Sequence, residues 1–63
     1  MASRAAEVQG ETAALQVLGI ADSVQRGSTG AEIGRERIQA VTDRLSPEVK
    51  AVADRIVRDR TSR

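Results

Sequence analysis

The chain has no cysteine, no histidine and no aromatic residue, and among its 63 residues a single proline and a single lysine. Each absence removes something. Without cysteine or histidine there is no disulfide, no zinc site of the common thiolate or imidazole kind, no thiolate nucleophile and no general base that titrates near neutral pH. Without Phe, Tyr or Trp there is no stacking platform for bases and no large anchor for a core. The charge is nearly balanced, ten Lys and Arg against nine Asp and Glu for a net +1, so no strong field draws the chain to nucleic acid or to an anionic membrane. No apolar run approaches the length of a membrane span, and no hydrophobic signal region follows Met1-Ala2-Ser3-Arg4. The expected location is the cytoplasm, or the inside of a macromolecular assembly.

What remains is aliphatic and small: three Leu, four Ile, seven Val and ten Ala. A chain of this length sits near the lower limit for folding alone, and small cores are ordinarily reinforced by disulfides, metals or association. With the first two excluded in their usual forms, self-association or docking on a partner is the expected reinforcement. The competing reading is an alanine-rich bundle packed closely enough to stand alone. Arginine outnumbers lysine nine to one, which genomic base composition explains as simply as a need for interface ion pairs does.

The pattern is helical throughout, with no strand alternation, repeat or low-complexity tract. Its centre is Thr29 to Val57, where apolar or small residues recur at Ala31, Gly34, Ile38, Val41 and Leu45, and again at Val49, Val52, Ala53, Ile56 and Val57. Three-four spacing of this kind keeps a stripe on one side of a helix. Gly34, on the first stripe, is either a place where a neighbouring helix comes close or a thin part of the core. A first helix runs from Arg4 or Glu11 to about Gln25, with Ala14, Val17, Leu18, Ala21 and Val24 on one face; the sequence leaves open whether it reaches back through Gly10.

Punctuation sets the other boundaries. Gly27 after Arg26 stops the first helix. Thr29 with Glu32 three residues on has the form of a capping box, in which hydroxyl and carboxylate each take an orphan amide. Ser46-Pro47-Glu48 combines a preferred N-cap, the residue best suited to the first helical position and an acid in the first turn. The third helix therefore starts at Pro47 and turns sharply against the second. On its exposed side Asp54 with Arg58 and Arg55 with Asp59 are spaced to pair.

The expected architecture is all-α: three short helices, about 11–26, 30–45 and 47–60. They form one domain over 1–63 with frayed ends at about 1–5 and 61–63, as a small bundle, or a helical hairpin plus an N-terminal helix, completed by oligomerisation.

No catalytic, cofactor-binding or metal-binding residue is expected, and no enzyme. Gly27-Ser28-Thr29-Gly30 has the outline of a nucleic-acid-clamping GXXG loop, but it lacks a cation and the strands of that fold; a helix stop followed by a helix start explains it. The expected function is protein binding, as a self-associating structural subunit, such as a virion or filament component, a docking module or an adaptor. Leu15, Leu18, Ile38, Val41, Leu45, Val49, Val52 and Ile56 form the interface, with the Ile38-Val41-Leu45 stripe at its centre. Two alternatives stand beside it. One is a nucleic-acid-binding module using Lys50, Arg55, Arg58 and Arg60, opposed by the interleaved Asp54 and Asp59; the other is a small inhibitor or antitoxin that folds on its target.

Overall fold

The computed structural model describes residues 3–62, folded as three helices without a strand: α1 (Arg4–Gln25), α2 (Ala31–Asp43) and α3 (Pro47–Thr61). Met1, Ala2 and Arg63, at the ends where fraying was expected, lie outside the described residues.

α1 starts seven residues before Glu11 and passes straight through Gly10. Arg4 and Ala5, expected to fray, form its first turn because Ser3 caps it: the Ala6 amide donates to Ser3 Oγ at 3.1 Å. In a capping box the third helical residue would reach back to the cap's own amide, but here that residue is Ala6. Glu48, at the start of α3, supplies the missing carboxylate, and the Ser3 amide donates to its Oε1 at 2.7 Å.

Gly10 is in the helix because α3 needs it to be small. A Cβ built there would overlap Val52, lying 2.6 Å from its Cβ and 3.2 Å from the backbone nitrogen of Ala53. The cost of a mid-helix glycine, about 1 kcal/mol, is thus offset by close helix-helix approach. Small residues at Ala6, Gly10, Ala13 and Ala14, all buried, make the groove that receives Val49, Val52 and Ala53.

The turn after α1 follows the expected chemistry. Gly27 takes φ +79°, its amide donates to the Val24 carbonyl at 3.1 Å, and the Ser28 amide donates to Ser23 at 3.0 Å. This is the Schellman arrangement, in which glycine's freedom closes the helix end.

The start of α2 differs from expectation. The Thr29 amide also donates to the Ser23 carbonyl, at 3.2 Å, so Thr29 is held over the end of α1. Gly30 becomes the N-cap and makes no side-chain cap bond. The Thr29-Glu32 capping box is therefore not formed, and α2 begins at Ala31 and ends at Asp43, short of Leu45.

The Ser46-Pro47-Glu48 start is as expected, with Ser46 Oγ accepting from the Val49 amide at 3.3 Å. Ser46→Ala should cost about 1 kcal/mol of stability, a loss readable by urea unfolding. A loss under about 0.3 kcal/mol would mean that proline and packing alone fix the start of α3.

α2 runs back along the C-terminal half of α1, and after the corner at Ser46-Pro47 α3 runs up its N-terminal half. Gly34 sits against Val24 and Ile20, as Gly10 sits against Val52. α2 and α3 pack on α1 and hardly on each other. The molecule is correspondingly flat, 37 by 27 by 12 Å, the last dimension being about that of two helix backbones in contact.

The core that results is made of small residues. Its buried hydrophobics are Ala6, Ala13, Ala14, Val49, Val52 and Ala53, and among the described residues no large side chain is fully enclosed. Its centre lies between α1 and α3. The Ile38-Val41-Leu45 stripe, expected to be central, is half-buried: Val41 and Leu45 pack against the edge of the Ala13, Ala14 and Ala53 cluster beside Ile56 and Val57. On α2 only Gly34 is buried.

Candidate protein-interaction surface

Of the eight residues expected to form the interface, the structure buries two and leaves six with access to solvent. Val49 and Val52 lie between α3 and α1, so they stabilise the chain itself and are not presented to a partner. Leu18, Ile38, Val41, Leu45 and Ile56 are half-buried, and Leu15 is 50% exposed. Two aliphatics outside the expected set are more open still, Val8 at 59% and Ile33 at 52%.

The apolar surface is concentrated along α1 and α2. On one side of their contact a shallow open groove is lined by Leu15, Gly19, Ile20 and Val41, with Gln16 and Arg37 as polar edges. It continues past Ala40 to Arg44 and Leu45. On the other side a second groove is lined by Ala21, Val24, Ala31, Ile38 and Gln39, with Arg35 at its edge. Apolar floor and arginine rim are the usual anatomy of a protein-binding patch.

The four residues of the nucleic-acid alternative are all exposed on α3. At 3.6 residues per turn, Lys50 and Arg58 share a side with Asp54 between them, while Arg60 faces another direction. Arg55 is engaged: its guanidinium donates to both carboxylate oxygens of Glu7 on α1, at 2.8 and 3.2 Å. The expected partner Asp59 is displaced because Glu7 lies directly across the α1-α3 contact. Among the described residues the ion pairs are this one and Asp22-Arg26 at the C-terminal end of α1, at 2.7 Å, so the Asp54-Arg58 pair is not made either. Both pairs are largely in solvent, where such contacts contribute about 0.2 to 1 kcal/mol.

Among the described residues no polar or charged side chain is buried, no group of three or more Asp and Glu is placed to hold a metal ion, and no helix is long and apolar enough to cross a membrane. What this surface offers is apolar area with charged edges. No family model, curated protein or solved structure matches the chain.

Proposed function

We propose that the protein is a non-enzymatic interaction or assembly module of the cytoplasm, or of an assembly within it, whose aliphatic helix faces are covered by protein. The observation that carries this reading is the mismatch between what the chain could bury and what it does bury. Of its fourteen Leu, Ile and Val side chains only Val49 and Val52 are buried. The accessible surface is 4858 Å² for 6.7 kDa, against about 3900 Å² expected for a folded monomer of that mass. The excess of about 950 Å² is of the order of the roughly 800 Å² that each partner contributes to a standard interface.

Sedimentation equilibrium between about 1 µM and 1 mM, a range that spans association free energies of about 4 to 8 kcal/mol, tests the reading. It expects masses above 6.7 kDa in the upper part of that range, or a monomer that captures a protein partner through the α1-α2 grooves. A monomer that instead binds nucleic acid with a steep salt dependence would overturn it in favour of α3.

A further inference from the structure

We propose that the groove between α1 and α2 on the Leu15 side is the docking site for an acidic amphipathic helix of another protein, whose carboxylates meet Arg37 and Arg44. The inference rests on the protein-binding reading above and names the chemistry of the partner.

The floor of this groove is aliphatic, with Leu15 and Ile20 from α1 and Val41 and Leu45 from α2. Its two parts share Gln16, Ile20, Arg37 and Val41, so they form one continuous trough. A trough between two packed helices is a shape that receives a third, laid with its apolar face down.

Charge selects the kind of helix. Every charged residue lining this groove is an arginine, in a chain that carries nine acids against ten bases. Arg37 and Arg44 are both exposed, and among the described residues neither is in an ion pair. Along α2 the positions three and four away from Arg37 are Ile33, Gly34, Ala40 and Val41, so no acid stands within reach of it on the helix. From Arg44 the same spacing meets one acid, Glu48, which lies past the Ser46-Pro47 corner with its carboxylate on the Ser3 amide. The acids next to them in sequence, Glu36 and Asp43, lie about 100° round the helix on its outer side. Asp43 there accepts from the Gln39 side chain at 2.9 Å. The second groove lacks this arrangement: its one arginine, Arg35, has Glu32 three residues before it.

Covering two guanidinium groups with apolar surface alone would strip their water and replace it with nothing. Carboxylates replace it with charge-assisted, bidentate hydrogen bonds. The complementary occupant is therefore aliphatic on one face and acidic along one margin. Arg37 and Arg44 are seven positions apart, two turns or about 10.5 Å along α2, so carboxylates seven apart on the partner meet both. A nucleic acid is the poorer fit, because it has no apolar face for this floor and the chain's net charge is only +1.

Two synthetic helical peptides of about five turns test this. They share a leucine face and differ along one margin, which carries glutamates seven apart in one and lysines in the other. Each is titrated into the isotope-labelled full chain and followed by amide chemical shifts. The glutamate peptide should shift the amides of Leu15, Ile20, Val41 and Leu45 and leave those of Val24, Ala31 and Ile38, at the second groove, in place. The lysine peptide should bind about tenfold more weakly. The double variant Arg37→Glu with Arg44→Glu, at two exposed positions, should keep its helicity by circular dichroism and reverse that order of affinity, a result that loss of fold does not produce. Equal affinity for the two peptides, or shifts centred on Ile38, would overturn the acidic-helix assignment and leave the protein-binding reading standing. Shifts at the groove on concentrating the chain alone, or tighter binding of a short DNA duplex at the same residues, would overturn it by naming a different occupant. No shift with either peptide up to about 1 mM would remove the groove as a helix site, while the protein-binding reading is judged apart from this by the sedimenting mass.

Discussion

Gly10→Leu should leave the chain without a cooperative unfolding transition at 25 °C. A leucine Cβ at this position already overlaps Val52 and sits 3.2 Å from the backbone nitrogen of Ala53. Its remaining atoms would have to enter the α1-α3 contact, which holds all six buried hydrophobics of the core. Overpacking of a tight core commonly costs about 1 to 3 kcal/mol; here the obstruction includes backbone, so relief requires the helices to separate. A chain of this size is stable by about 3 to 9 kcal/mol at most typical values per residue, and the thin core puts it at the low end. Gly10→Ala is the graded version. Helix propensity would favour it by about 1 kcal/mol, yet the overlap should make it a net loss of about 1 to 2 kcal/mol. The same substitution at Gly19, measured in dilute solution, should gain about 0.5 to 1 kcal/mol, because nothing stands in the way there. Opposite signs for one substitution at two glycines of one helix, read by urea unfolding, are the expected result; equal gains would mean that α3 does not approach α1 as described.

Ala14→Asp should unfold the protein outright. Ala14 has no measurable exposure and sits among Ala13, Ala53, Val41, Leu45, Ile56 and Val57, none of which can receive a charge. Leaving a carboxylate buried and unpaired costs several kcal/mol, comparable to the whole stability of the domain. Lowering the pH to protonate the new carboxylate should recover part of the helicity, which separates the charge from the added volume. Ala5→Asp, an exposed position in the first turn of α1, is the control and should change stability by no more than about 0.5 kcal/mol. Helicity unchanged in Ala14→Asp would place the core elsewhere.

Much of the architecture was legible in the sequence because it is written in local chemistry. Gly27 and Ser46-Pro47 mark two helix ends by residue types that need no tertiary context, and both turns formed as expected. The capping box at Thr29 and Glu32 failed for a reason outside that window, since the carbonyl of Ser23 takes the Thr29 amide and shifts the start of α2 by one residue. Gly10 misled by the same route: propensity counts a glycine against a helix, and only the Val52 side chain across the contact shows why it is there. The spacing of Ala6, Gly10, Ala13 and Ala14 was the available signal, a small-residue face that a search for large aliphatics passes over. That bias also placed the centre on Ile38, Val41 and Leu45, whereas the buried face belongs to alanines. Val49 and Val52 fell to the core for the matching reason, being the residues that fit those alanines. The pairing of Arg55 with Glu7 rather than Asp59 depends on a helix 48 positions away in sequence and carried no local sign.

The central claim is that a core of alanine and valine leaves aliphatic faces that another protein chain covers, and in the homo-oligomeric form of that claim folding and association are linked. Thermal unfolding of the unmodified chain, followed by circular dichroism at concentrations from about 5 µM to 500 µM, tests this most directly, because association of the folded state raises its midpoint with concentration. A midpoint that climbs by several degrees over that range, with a sedimenting mass rising in step, is the predicted result. A sharp transition at one temperature throughout, from a chain that sediments as a monomer, would show that three helices around Ala14 suffice alone and would contradict the homo-oligomeric form of the claim.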